Sequence, residues 1–409
     1  MFIRMDSLIQ VLAQALDMVE IAYIGATTNH GKRIAVLCGA MGQKLRMSAD
    51  ELSDLISCAL LHDNALTEYI LLQQGREEDD PNLGVHCTIG QMNAEIIPFN
   101  KSIDGFILYH HERADGMGPF GMTEGQYPLG AELIAIADMI DAERHLESIP
   151  IGELPSLREK IEAETGTRFT SRAGKTLLDV LDEDMLSSLQ NERIIETANN
   201  MIPVWTMDMD DPTLVPIAEL ISHIIDRKSF YTGIHTEQIA NRIWIMSEHY
   251  GYEMSEKIKL YLAAALHDIG KLSIPIDILE KPGKLNAEEF EIIKSHVSIT
   301  RTLLSEMEGL ELITEWASNH HEKLNGTGYP FGKNTPDLDF NSRLMACIDI
   351  YQAVSEDRPY HPRRTHAEAM SILYSMAKEG QIDTEIVKDI DKVMAKWSGE
   401  NVGRPKLLK

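Results

Sequence analysis

The sequence predicts an all-α protein in which one helical bundle occurs twice. Three observations predict it. Chemistry-bearing residues recur at a nearly constant offset, apolar residues fall at helical spacing between cap signals, and no alternating runs mark strands.

The repeat comes first. TTNHGKRIAVLCGAMGQKLRMSADELSDLISCALLHD, ending at Asp63, aligns with TGIHTEQIANRIWIMSEHYGYEMSEKIKLYLAAALHD, ending at Asp268. His30 and His235, His62 and His267, and Asp63 and Asp268 each differ by 205. His86 and His296, His110 and His320, and His111 and His321 differ by 210, and Asp138 and Asp349 by 211. Ten of the 15 histidines occupy these paired positions, an arrangement that chance would rarely produce. The chain therefore reads as a tandem duplication, with one domain over 1–205 and a second over 206–409.

Within each half the local signals are helical. Ser48 with Glu51, and Asn286 with Glu289, have capping-box spacing ahead of apolar runs. Ile239, Ile243 and Met246 recur at three- and four-residue steps, as do Phe290, Ile293 and Val297. Gly251 stands where a helix C-cap is expected. The segment from about 153 to 205 should hold the last helices of the first domain and the link to the second, with 378–397 as the matching end. Short hairpins in loops stay open.

Length and composition bound the function. At 409 residues the chain suits two cores rather than one. A formal net charge of −26, from 38 basic and 64 acidic residues, excludes a duplex nucleic-acid binder, which needs a basic stripe. An anionic substrate can bind only where metal ions or local cations reverse the field. Cys38, Cys58, Cys87 and Cys347 show no CxxC pair, so free thiols are expected. No apolar run is long enough for a membrane span, and the expected location is cytoplasmic.

The chemistry concentrates in the second half. The adjacent pair His267–Asp268 follows an apolar helix, and His235, His296, His320, His321 and Asp349 complete a set of imidazoles and carboxylates. Seven such ligands exceed what one ion needs, and the mixture suits iron, manganese, zinc or nickel rather than magnesium or calcium. Five residues after the histidine pair, Gly326 and Gly328 allow close approach of a ligand, and Tyr329 with Pro330 offers a ring and a rigid turn.

HDIGKL (267–272), IPIDILEKPGKL, HHEKLNGTGYP and DRPY (357–360) together resemble the HD-GYP phosphodiesterases, over about 200 residues. The resemblance implies a helical HD-type bundle with a bi- or trinuclear centre, often iron or manganese, that hydrolyses cyclic di-GMP. It makes His235, His267, Asp268, His296, His320, His321 and Asp349 the metal ligands, with Asp268 bridging. Lys271 becomes a catalytic and phosphate-contacting residue, Arg358 a phosphate contact, and Gly328, Tyr329 and Pro330 the wall of the nucleotide groove. The expected activity is hydrolysis of cyclic di-GMP to linear pGpG or GMP by a metal-activated hydroxide. The alternatives are 3′,3′-cyclic GMP-AMP as substrate, or a receptor that binds without cleaving. A homodimer or a signalling-protein partner is compatible with this reading.

The chain departs from the family pattern at three positions. Gln352 stands where many members carry a second aspartate, leaving its expected hydrogen bond to base or phosphate uncharged. Tyr231 replaces a glutamate that supplies a third ion in some members, so two metals are expected in the second half. His361 follows the RPY element where a basic residue is common.

The first half keeps every ligand counterpart: His30, His62, Asp63, His86, His110, His111 and Asp138. It therefore forms a second candidate set for two more ions. Leu66 replaces the lysine, however, and HHERADGMGPF lacks the tyrosine. A competent phosphodiesterase is not expected there; a structural or sensing domain, or a site of altered specificity, stays open.

Overall fold

The computed structural model describes residues 2–24, 27–73, 83–228, 235–281, 283–305, 308–356 and 363–397. Expected elements at Tyr231, Arg358 and His361, and the rest of the DRPY segment, lie outside the described residues. The chain divides into two compact units, Met5–Trp205 and a second built from Met1–Arg4 with Thr206–Lys409. Among the described residues helices are the dominant regular structure, as predicted. The departure is one short ladder, Phe2–Arg4 paired antiparallel with Thr206–Asp208. Three-residue strands carry too little pattern to be read from sequence.

The two units use the same opening. In the first, His30–Lys44 packs on Ala49–Leu60, and Leu129–Arg144 closes over His30–Lys44. In the second, His235–His249 packs on Met254–Leu266, with Phe340–Ser355 in the closing position. The cap signals hold at atomic detail. Ser48 and Glu51 form a reciprocal capping box, and the Asn286 and Glu289 backbone and side chains exchange hydrogen bonds of 2.8 and 2.9 Å. Gly251 adopts φ 70°, and the Gly251 and Tyr252 amides bond Glu248 and Ser247, which closes the helix as a Schellman motif.

Packing brings the helix ends that carry the motifs to the centre of each unit. Met254–Leu266 is buried from Leu260 to Leu266, and each large apolar side chain there contributes ~1.5–3 kcal/mol by leaving water. Alanines 263 to 265 let neighbouring helices approach closely. The next turn uses Gly270 for the same reason, since a Cβ there would meet the His296 carbonyl oxygen at 2.1 Å. The glycine of HDIGK thus seats the motif turn against the helix Ala287–Ser305.

Candidate metal centres

The candidate ligands of the second unit reach the cluster from helix ends, turns and helix interiors. His235 opens the helix His235–His249, and His267 and Asp268 follow Leu266 at the end of theirs. His296 lies mid-helix in Ala287–Ser305, His320 and His321 follow Glu311–Ser318, and Asp349 lies within Phe340–Ser355. The structure brings all seven together. His267 Nε2 lies 3.1 Å from Asp268 Oδ2, His296 Nε2 3.3 Å from Asp268 Oδ1, and His235 Nε2 3.5 Å from Asp349 Oδ1. His321 Nδ1 is 3.5 Å from Asp349 Oδ2.

Backbone carbonyls set the proton positions on three of these rings. His267 Nδ1 lies 2.7 Å from the Ala264 oxygen, and His296 and His320 Nδ1 lie 2.6 Å from the oxygens of Ile293 and Ala317. A carbonyl can only accept, so Nδ1 carries the hydrogen and a neutral ring turns the Nε2 lone pair inward. The Nε2 atoms of His296 and His320 then face each other at 3.4 Å with no proton between them. His267 Nε2 and Asp268 Oδ1 are buried with no hydrogen-bond partner. Two opposed lone pairs and an orphaned carboxylate oxygen are costly in an apolar interior, and a cation removes that cost.

The electrostatics agree at His320, His321 and Asp268, whereas at His235 burial is outweighed by Glu356 and Asp349, which raise the ring to about 9. Burial and the neighbouring rings His321 and His267 hold His320 well below the usual histidine range. Burial, then His296, takes His321 down to about 3, so both stay neutral and able to ligate. Burial alone would raise the Asp268 carboxyl, but His267 and Lys271 outweigh it and hold it well below the usual range.

The first unit repeats this geometry. His62 and His110 Nδ1 lie 2.9 and 2.6 Å from the carbonyls of Ala59 and Ile107, and both Nε2 atoms are buried without a partner. Asp63 Oδ1 lies 2.8 Å from His86 Nε2, and Asp138 Oδ1 lies 3.2 Å from His30 Nε2. His111 Nδ1 is 3.9 Å from Asp138 Oδ2. The ligand atoms gather in four groups, Asp63 with His86, His110 and His111, and His30 with His62 and Asp138, matched by His296 with His320 and His321, and His235 with His267 and Asp268. Within each group they lie within 4.8 Å of one another. In both units the donor set fits nitrogen- and oxygen-preferring transition metals.

Residues 219–386 match the family model of the HD domain. The chain is 28% identical to 3′3′-cGAMP-specific phosphodiesterase 1 of Vibrio cholerae over 92% of its own length and 88% of that protein's. It is 33% identical to a cyclic di-GMP phosphodiesterase of Thermotoga maritima over 40% of its length and 45% of the relative's. In fold it resembles the crystal structure of a cyclic GMP-AMP specific phosphodiesterase of V. cholerae, with TM-score 0.67 and 23% identity over 97% of this chain and 98% of that one. The second half thus carries an HD domain, and the chain is similar over most of its length to a phosphodiesterase.

The remaining HD-GYP motif residues surround the second cluster. Lys271 Nζ lies 2.5 Å from Asp268 Oδ2, at the partly exposed edge of the site. The Tyr329 ring lies over His321 at 4.8 Å between centroids, with Lys294 Nζ 5.6 Å from its centre. A Cβ on Gly328 would meet Lys323 N at 2.4 Å, so the loop needs glycine there. The Tyr329–Pro330 peptide is cis.

Gln352, expected to face substrate, is buried with both ends of its amide engaged. Arg242 Nε donates to its oxygen at 2.7 Å, and its nitrogen donates to Glu356 Oε2 at 3.0 Å. Glu356 Oε2 in turn lies 2.9 Å from His235 Nδ1. The glutamine belongs to the layer that orients the first ligand, a placement that outer partners of metal-bound histidines commonly take. In the first unit Asp141 does this directly, 2.6 Å from both His30 Nδ1 and Arg33 Nε.

Sequence reasoning missed Glu356, Arg242, Asp141, Arg33 and two loop clamps. Glu322 accepts the Phe331 and Lys333 amides at 2.7 and 2.9 Å, and Glu112 accepts those of Phe120 and Met122 at 2.6 and 2.7 Å. The clamps were detectable, because Glu112 and Glu322 keep the same 210-residue offset as the histidines before them. Glu20 was also missed. It comes from the helix Met5–Ile24, is 2% exposed, and lies 3.8 Å from His30 Nε2. Burial, then the negative field of Asp63, pushes its carboxyl well above the usual range.

Proposed function

We propose that the chain is a metal-dependent cyclic-dinucleotide phosphodiesterase that prefers 3′,3′-cyclic GMP-AMP, with hydrolysis confined to the second half. The observation that carries the reading is the inward-facing imidazole cluster with Lys271 and Tyr329 at its edge. Cyclic di-GMP, the substrate expected from sequence, takes second place. Relatives spanning most of the chain are named for cyclic GMP-AMP, whereas those named for cyclic di-GMP match 40% of it or less.

His235, His267, Asp268, His296, His320, His321 and Asp349 would hold two ions, iron or manganese by the donor set. When bound, such ions acidify a water toward a pKa of about 7 and share the charge on the phosphoryl oxygens. The chain's own residues do the rest. Backbone-held imidazoles present their lone pairs without reorganisation, and Glu356 fixes the ring of His235. Lys271 donates to a phosphoryl oxygen and offsets the negative charge that builds as the water oxygen joins phosphorus and the P–O3′ bond breaks. Tyr329 offers its ring to a base, and Arg358 a second contact to phosphate.

The test is turnover of 3′,3′-cyclic GMP-AMP, cyclic di-GMP and cyclic di-AMP by protein purified without oxygen, with metal content measured on the same sample. The reading expects the hybrid dinucleotide to have the highest kcat/KM. Tight binding of any of the three with no cleavage by metal-loaded protein would replace it with a receptor.

A further inference from the structure

Among the described residues, the first unit holds a carboxylate at its cluster that has no counterpart in the second. Glu20 Oε2 is buried, accepts no hydrogen bond, and points at the cluster from 3.8 Å off His30 Nε2. Among the described residues, the corresponding nitrogen of His235 faces Asp268 and Asp349 and no third carboxylate. A buried carboxylate without a donor is unfavourable, and folded proteins keep such a group where a cation is present to meet it. The neighbouring acids are already engaged. Asp17 accepts the Gly31 amide at 3.0 Å, and Asp141 is held by His30 and Arg33. Glu20 is the acid left aimed inward.

We propose that the first half is a metal-retaining centre in its own right, with Glu20 as an eighth ligand, that holds its ions more tightly than the catalytic half. The charge count supports this. With neutral imidazoles, Asp63, Asp138 and Glu20 give the first shell a formal charge of −3. Asp268, Asp349 and Lys271 give the second −1. Two extra negative charges within a few ångströms strengthen the hold on divalent cations and repel an anionic phosphodiester. Leu66, buried where the second half has its lysine, leaves that charge unrelieved. The two sites thus divide the labour: one is tuned to keep metal, the other to admit phosphate.

The experiment uses the full chain loaded with Mn²⁺ without oxygen, as wild type, His267→Ala, Glu20→Gln and the double variant. Metal per chain is followed during exposure to EDTA, and Tm is measured with and without metal. Wild type should release metal in a fast and a slow phase, and His267→Ala should keep the slow one. Glu20→Gln should speed the slow phase by about 10-fold or more, the scale on which lost metal-site support acts. It should also lower the Tm of loaded protein while changing that of metal-free protein little, because burial disfavours the charged carboxylate until a cation meets it. Glu20→Asp, which keeps the charge on a shorter arm, should release metal at an intermediate rate. An unchanged slow phase in Glu20→Gln, no slow phase in His267→Ala, or an equal change in Tm with and without metal would each overturn the proposal. Because no readout involves a nucleotide, this outcome is independent of the substrate assignment.

Discussion

The two halves of the chain share their candidate metal ligands and differ in nearly every residue proposed to touch a substrate. Both place inward-facing imidazoles on backbone carbonyls, and both clamp the loop after the histidine pair with one glutamate. That loop shows where they part. Gly118 and Gly328 keep the 210-residue offset, whereas Pro119 and Pro330 are 211 apart, so the extra residue in the second half is Tyr329 itself. The turn after the HD pair differs as sharply, with Lys271 at the cluster's edge and Leu66 buried in the core. A duplicated fold can therefore keep a metal cage while losing or gaining its phosphate and base contacts, because these sit on side chains that the cage does not need.

The largest expected effect comes from removing equivalent ligands. His267→Ala should lower hydrolysis by about 1,000-fold or more, since the nucleophile and the charge stabilisation are lost together. His62→Ala should stay within about 3-fold of wild type when folded protein of matched second-site metal content is assayed. Equal losses from both would make the first half a second catalytic site. Next is Lys271→Leu, which installs the first half's residue. Loss of a preoriented donor predicts a fall in kcat of about 100-fold with metal content unchanged. Retention of full kcat would remove the lysine from the chemistry. Tyr329→Ala should act mainly on KM, by about 10-fold, as expected for one lost base-stacking contact. A pure kcat effect would argue that the ring positions His321 instead.

The candidate ligand set was legible because duplication states it twice: a lone HD pair means little, but seven residues recur at matched offsets. The helices were legible from their caps, as Ser48, Asn286 and Gly251 show. What escaped was the layer behind the ligands. Glu356 and Arg242 reach His235 from 121 residues downstream and, through Gln352, from the next turns of its own helix. Glu20 approaches from a helix that carries no motif. Such residues are chosen by tertiary contact, and their spacing has no period to detect. Gln352 illustrates the resulting error. Its position within the motif suggested a role toward substrate, while its burial beside Arg242 and Glu356 assigns it to orienting a ligand.

The smallest expected effect tests that orienting layer. Gln352 occupies the place of Asp141, by the same offset of 211 that relates Asp138 to Asp349. The first half thus orients His30 with one carboxylate neutralised by Arg33, and the second orients His235 with Glu356, steered by a neutral amide that Arg242 holds. Gln352→Asp would offer Arg242 an ion pair but set a second carboxylate beside Glu356. Opposed gains and costs of this kind leave a net change of about 1 kcal/mol, or roughly 5-fold in kcat/KM, with metal bound. The like charge should also raise the proton affinity of the Glu356–His235 pair. Because a protonated imidazole cannot ligate, metal retention should then fail at a higher pH than in wild type as acid is added. A variant whose kcat/KM for one base-containing substrate changed selectively, with metal retention unaltered across pH, would return Gln352 to the nucleotide groove.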